Sequence, residues 1–439
     1  MEPGILAAVY AAETAVEGAV AAAFGIAKAT MPLKATFHRI PTSNPLPRSS
    51  HSLSIIKGRA YIFGGEIRPR EPVDNVVHVY TLPSSGVLEA DYQSIPAKAS
   101  DGSDVPAPRV GHTAAVVEDR IYVFGGRGGK EMTPLEEKGR VWVFDTKMRH
   151  WSYLDPVKGS PYPEARSYHA SVGNEHPLPR KNDHTENPVG SPDEEAHGTI
   201  FIHAGCPASG RVSDVWAFDI ASRMWSPYPD APGPARGGTC LTFAQNRLYR
   251  YGGFDGKSEL GGQIDYLDLL VATFDDQSGK GELALSPRTG KWETITFPAD
   301  GSAPGDRSVA GLQPINTGQG RSYLLLFLGE RDPSSSGHDA AGKFWSDVWS
   351  FQLHPEGMTA ASFKDATKEV IGKGTGEGTW AQVEIAEATM SGGKQAHPGS
   401  RGWFASAPGQ DMDVESVVLW GGIDAKNERI GDGWILTVE

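Results

Sequence analysis

The chain has 439 residues, with 41 Lys and Arg against 54 Asp and Glu, a formal net charge of −13. That balance excludes the dense basic patch that a nucleic-acid backbone requires. Two cysteines, Cys206 and Cys240, exclude a disulfide framework and, with no cationic apolar leader at the start, lead to the expectation of a reducing, cytoplasmic location.

Residues 1–31 are alanine-rich, and Val9, Ala12, Val16, Ala19, Ala23 and Ile26 fall at alternating spacings of three and four. This pattern predicts an N-terminal helical extension with a narrow, small-residue face. Glu13, Glu17 and Lys28 interrupt any uncharged run near the roughly 18 residues that span a bilayer. No membrane role is expected, and the extension is suited to docking on the body or to self-association.

Residues 32–439 read as one domain built from copies of Arg48–Tyr80. An arginine opens that copy; an alternating run, His51–Ile56, turns at Lys57-Gly58 into a second apolar strand that stops at Gly64-Gly65. Two such runs joined by a short glycine turn predict a β-hairpin, and a third strand follows the polar loop. The arginine recurs at Arg109, Arg166, Arg236, Arg307 and Arg401. The stop recurs as Gly125-Gly126, Ala204-Gly205, Gly252-Gly253, Gly329-Glu330 and Gly421-Gly422. Third strands are expected at VVHVY, VWVFD, VWAFD, LVATF, DVWSF and GWILTV.

A fourth element pairs an aromatic with an apolar residue three positions on: Tyr92/Ile95, Trp151/Leu154, Trp225/Tyr228, Trp292/Ile295 and Trp380/Val383. The sixth instance, Phe37/Ile40, precedes the first copy, and the last copy lacks one. An open sheet edge is a liability, so the strand near 34–40 is expected to complete the final blade. The fold class is therefore all-β, a six-bladed β-propeller closed by an N-terminal strand. The repeat resembles the kelch repeat.

The loops after the glycine stops converge on one mouth of the channel, where a rigid scaffold presents ligand-binding side chains. Candidates there are Glu66, Arg68, Arg70, Arg127, Lys130, Cys206, Arg211, Asp255, Lys257 and Glu259, followed by Glu330, Arg331, Asp332, His338, Asp424, Lys426 and Arg429. The six opening arginines, repeated in every blade, are expected to bond loop carbonyls and acids; His51, His112 and His169 are expected to pack. Cys206 reads either as a mouth-facing thiol or as a small half-buried one. In LGERDPSSSGH, Glu330, Asp332 and His338 supply two carboxylates and an imidazole, a ligand set suited to Fe(II), Zn or Mn. The alternative is a turn at Asp332-Pro333 with Glu330 paired to a rim arginine.

The segments PRSSHS (Pro47–Ser52), FGGE (Phe63–Glu66), YVFGGR (Tyr122–Arg127), PEARSYH (Pro163–His169), ARGG (Ala235–Gly238), DRSV (Asp306–Val309) and RGW (Arg401–Trp403) occur in matching order. Together they resemble the plant epithiospecifier, nitrile-specifier and thiocyanate-forming proteins, over about residues 34–438. The resemblance implies a lyase-type activity on a small metabolite, Fe(II) at the mouth, and mouth arginines facing an anionic substrate, here Arg127 and Arg211. The family's iron motif is Glu-x3-Asp-x3-His; Glu330 and His338 match its ends, and Ser334 occupies the middle position. The competing expectation is a non-enzymatic kelch scaffold that binds a protein partner at the loop face, using the insertions Asn174–Gly198, Asp275–Gly290 and His354–Gly378.

Overall fold

The computed structural model describes residues 30–83, 90–178, 196–276, 279–318, 320–335, 340, 342–386, 396–409, 412 and 415–438. The predicted helix within residues 1–31 lies almost wholly outside the described residues, as does most of the insertion Asn174–Gly198.

Six antiparallel sheets follow one another in chain order, each running from an inner to an outer strand. Blade one is Ser52–Ile56, Arg59–Phe63, Val77–Thr81 and Asp91–Ile95. Its strands pair in sequence order, and blades two to five repeat the order. The protein is a six-bladed β-propeller. In blade six, Lys34–Arg39 lies antiparallel to Gly433–Val438, with Phe37 opposite Leu436.

The alternating pattern is explained by the seams, where apolar side chains of neighbouring sheets meet. Trp151 of blade two packs against Phe63 of blade one at 5.0 Å between ring centroids. Trp225 repeats the contact on Phe124 at 5.1 Å, and Trp380 on Tyr251 at 5.7 Å. The fourth-strand tryptophans of blades two, three and five thus reach the preceding blade, as does Trp292 of blade four on His203; aromatic ring pairs of this kind contribute about 0.5–1.5 kcal/mol beyond burial.

Two closed rings of backbone hydrogen bonds hold the six blades around the channel. In the first, the amide of Gly65 donates to the carbonyl of Arg109, and Gly126, Gly205, Gly253, Gly329 and Gly422 do the same to Arg166, Arg236, Arg307, Arg401 and Arg48. The second lies further in: Ser50, Gly111, Tyr168, Gly238, Val309 and Trp403 each donate to the carbonyl of the preceding member, at 2.7–3.2 Å, and Ser50 closes the circle on Trp403. All six have positive φ, between 45° and 62°. Four are not glycine, so the strain of the left-handed region, of order 1–2 kcal/mol each, is borne by the closed circle.

The opening arginines are buried and each binds its own blade. Arg48, Arg109 and Arg236 donate to the carbonyls of Gly64, Gly125 and Gly252 at 2.8–3.0 Å. Arg166, Arg307 and Arg401 reach Ala204, Leu328 and Gly421. This corrects one sequence assignment. The stop of blade five is Leu328-Gly329, not Gly329-Glu330: Leu328 accepts from Arg307 and has φ 55°, Gly329 has φ 101°. A longer first hairpin, Gly311–Asn316 with Ser322–Phe327, moves the stop along the chain. A second correction concerns blade four. Its third strand runs Gln263–Asp276, and Ile264–Asp268 pairs with the second strand. LVATF lies beyond the blade, in a hairpin with Gly279–Pro287.

His51 and His169 are buried between blades, and burial, assisted by Arg48 and Arg166, pushes their pKa down to about 3. The fold therefore holds neutral rings. An unfolded imidazole protonates near its ordinary value of about 6.5, so from there down to about pH 3 unfolding takes up one proton per ring. Stability is expected to fall with falling pH across that window by about 1.4 kcal/mol per pH unit per histidine. Urea unfolding of wild type and His169→Gln at pH 7 and pH 5 checks this; the variant shows the shallower loss.

Candidate functional site

The residue directly after each glycine stop occupies the same place in all six blades. Glu66, Arg127, Cys206, Phe254, Glu330 and Ile423 each form a bridge with the residue after an opening arginine: Ser49, Val110, Ser167, Gly237, Ser308 and Gly402. Five of these six, all but Glu66, line a cavity of about 460 Å³ at the mouth. Tyr168, Val309 and Trp403 of the inner backbone circle form its floor, and Phe344, Asn427 and Arg211 are among its remaining walls. The sixth position is closed off: Glu66 accepts from the amide of Arg70 at 2.8 Å and from Arg429 Nη2 at 3.0 Å.

One side of the cavity is cationic. Arg127 Nε donates to Ser167 Oγ at 2.8 Å, and its guanidinium lies 5.2 Å from the Tyr168 ring centroid. Arg211 lies 5.0 Å from the Phe254 ring centroid. Its Nε is buried and without a hydrogen-bond partner among the described residues. Gly256 makes room for it: a Cβ there would come 2.5 Å from Arg211 Nη1.

The Cys206 thiol stands between these arginines, and burial pushes it up although Arg211 and Arg127 pull it down. Cys206 is half-buried and also lines the mouth cavity, so its position is compatible with both readings. Cys240 is buried in blade four, and burial pushes it up to about 12. A thiol reagent at pH 7.5 is therefore expected to leave Cys240 untouched and to modify Cys206 slowly, both reacting at once in urea; absorbance of the released reporter measures it.

The opposite side is carboxylate. Glu330 is 6 % exposed, and burial pushes its pKa up to about 7 while a hydrogen bond from the Trp403 side chain pulls it down. Gly342 lies so close that a Cβ there would collide with Glu330 Oε1. Glu259, 7 % exposed, is not itself among the lining residues but bonds Ser308, which is; it is pushed up to about 8 by burial, with the Ser308 hydrogen bond lowering it and the Glu330 charge adding to the rise.

The expected metal set is only partly brought together. Glu330 faces the cavity. Asp332 is about half exposed and pairs with Lys343 Nζ at 3.2 Å, and His338 lies outside the described residues. Among the described residues, no three His, Cys, Asp or Glu gather as a metal site. Of the three, only Glu330 is seen lining the cavity, and Asp332 turns to Lys343. Other loop candidates have local roles: Asp255 caps the amides of Lys257 and Ser258, and Asp424 those of Lys426 and Glu428. The aromatic lining, Tyr168, Phe254, Phe344 and Trp403, escaped the sequence reading. Tyr168 and Trp403 stand two residues after an opening arginine, where the other blades carry Ser50, Gly111, Gly238 and Val309; that contrast was the available signal.

The family model for the KLHDC2/KLHL20/DRC7 kelch-repeats domain matches residues 31–178. The chain is a six-bladed β-propeller whose first part, residues 31–178, matches kelch repeats. It is 24% identical over 412 residues to the N-(sulfonatooxy)prop-2-enimidothioate sulfolyase of Thlaspi arvense, covering 90% of this chain and 93% of that protein. It is 25% identical over 279 residues to human host cell factor 2, covering 57% of this chain and 33% of that protein. The solved structure of YjhT covers 91% of this chain and 99% of its own chain with a TM-score of 0.56 at 14% identity, a likeness of fold. No helix among the described residues is long and apolar enough to cross a membrane.

Proposed function

We propose that the channel mouth is a small-molecule site of specifier type, in which Arg127 and Arg211 hold an anionic group of the substrate and Glu330 holds a divalent cation, Fe(II), for a lyase-type reaction. The observation that carries this reading is the buried Arg211 Nε, a charged donor with no partner among the described residues, in one cavity with Arg127. An unmet buried donor costs about 1–3 kcal/mol, more for a charged group, and an anionic ligand would supply its acceptor. The aromatic walls bury the apolar part of such a ligand and exclude water, which strengthens charge-assisted bonds. A cation at Glu330 would supply Lewis-acid polarisation there. The similarity to a sulfolyase over most of both chains supports an O-sulfated substrate class.

Calorimetric titration with N-(sulfonatooxy)prop-2-enimidothioate, after anaerobic addition of Fe(II), tests the reading. One-site binding with sulfate release is expected; neither binding nor release contradicts it. The second reading, a protein-binding scaffold, is favoured by the exposed apolar side chains Met358, Phe363, Val370 and Ile371 in the insertion His354–Gly378. Its test is capture of a stable partner from native extract that is lost with Phe363→Glu.

A further inference from the structure

The near-symmetry of the mouth exposes a place where a positive charge is missing. In each mouth loop, one residue precedes the amide that returns to the carbonyl of the second glycine, and it stands at the seam with the next blade. At the seam of blades six and one this residue is Arg429, preceding Ile430, and it pairs with Glu66 at 3.0 Å, both side chains buried. At the seam of blades three and four it is Arg211, preceding Val212, over the ring of Phe254. At the seam of blades four and five the same two positions hold Glu259, preceding Leu260, and Glu330. An Arg–Glu pair has become Glu–Glu.

Ser308 touches both residues, the Glu259 carboxylate with its side chain and Glu330 with its backbone. Its Oγ donates to Glu259 Oε1 at 3.1 Å, and its backbone exchanges hydrogen bonds with that of Glu330 at 2.9 and 3.1 Å. Glu259 Oε2 is buried and has no hydrogen-bond partner among the described residues. Two neighbouring carboxylates out of water repel unless a cation or a proton stands between them.

We propose that Glu259 is the second carboxylate ligand of a divalent cation held between blades four and five, in the role that the sequence pattern assigned to Asp332. This rests on the reading that Glu330 holds a cation. Two carboxylates and a serine hydroxyl form a hard, all-oxygen set that suits Mn(II), Mg(II) or Fe(II), with the remaining positions left to water or substrate. Asp332, turned to Lys343, takes no part.

Mn(II) titration of the full-length protein, followed by electron paramagnetic resonance, tests it on wild type, Glu259→Gln, Glu330→Gln and Asp332→Asn. Affinity is expected to fall at least tenfold in each Gln variant and to hold in Asp332→Asn. Glu259→Gln is isosteric and removes a buried charge, so its thermal midpoint should equal or exceed that of wild type. Wild-type affinity in Glu259→Gln, with loss in Glu330→Gln, overturns the role of Glu259 and leaves the cation at Glu330. No Mn(II) binding by wild type overturns both.

An independent observation concerns the chain start. Helix α1, Ala360–Val370, is fixed to the body by Asp365, which pairs with Arg321 at 2.6 and 2.7 Å. Phe363, Val370 and Ile371, spaced seven and eight apart, leave one face apolar and exposed. The first described residue, Thr30, touches both ends of the segment that carries this helix: its Oγ1 donates to Gln352 Oε1 at 2.5 Å and lies 3.3 Å from the Thr375 carbonyl. The chain before it carries the stripe Val9, Ala12, Val16, Ala19, Ala23 and Ile26.

We infer that residues 1–29 dock on the exposed face of α1 within the same chain. Hydrogen exchange of the full-length protein tests this against the double variant Val16→Glu/Ile26→Glu. Amides of 360–371 are expected to exchange at least tenfold faster in the variant, independent of concentration. Equal exchange overturns docking, and protection that grows with concentration alongside a dimer overturns it in favour of self-association.

Discussion

Arg307→Met is expected to destabilise the propeller by about 3–5 kcal/mol, the cost of breaking one half of a buried ion pair. Arg307 is fully buried. Its Nη1 donates to the Leu328 carbonyl at 3.0 Å and to Asp347 at 2.7 Å, Nη2 reaches Asp347 at 3.0 Å, and Nε bonds the Gly305 carbonyl at 3.0 Å. Methionine fills the space but leaves Asp347 without its counter-charge and the Leu328 carbonyl without a donor. Lysine does not rescue, because an ammonium cannot reproduce the planar fork that serves a carboxylate and a carbonyl together. The double variant Arg307→Met/Asp347→Leu should recover part of the loss, since the stranded charge is gone. Denaturant unfolding of the three variants measures it. Arg48 bonds the Gly64 carbonyl and His78 Nε2 rather than a carboxylate, so Arg48→Met should cost less.

The second large effect is on binding. Arg127→Met and Arg211→Met are each expected to weaken an anionic ligand about tenfold to a hundredfold, the 1.5–3 kcal/mol of a hydrogen bond to a charged group. Neither should lower stability as Arg307→Met does. Arg127 has one hydrogen-bonded partner of its own, Ser167, and Arg211 Nε has none. Arg211 is the cleaner test, because its removal strands no acceptor. Calorimetric titration at fixed salt reads both, and the pair combined should lose more than either alone.

The ring itself was legible in the sequence because each recurring residue answers a backbone demand. An arginine must reach the first stop carbonyl, and the second glycine must turn its amide to the next blade. Where a different residue met the same demand, the reading slipped. Leu328 adopts the left-handed conformation that glycine takes in most other blades, and it is wholly buried, so packing offsets the backbone strain. With the stop placed one residue late, Glu330 looked like a replaced glycine; it is the ordinary mouth position, shared with Glu66.

The candidate site was legible in part for a related reason. Arg127 and Arg211 follow glycine stops and were expected at the mouth, where they stand. Tyr168 and Trp403 owe their place to the inner circle of backbone bonds, which no local pattern announces. Asp332 lies close to Glu330 in sequence, yet the bulge between them in a short pairing with Lys343 and Phe344 leaves it facing Lys343. Glu259, far from Glu330 in sequence, becomes its neighbour only when consecutive blades close on one another.

The central claim is a ligand site at the mouth built around Glu330. Anaerobic reconstitution with Fe(II), followed by metal analysis of the desalted full-length protein and of Glu330→Gln, tests it most directly. About one equivalent of retained iron in wild type and a loss to background in Glu330→Gln is the predicted result; wild type without iron, or a variant that retains as much, would contradict it.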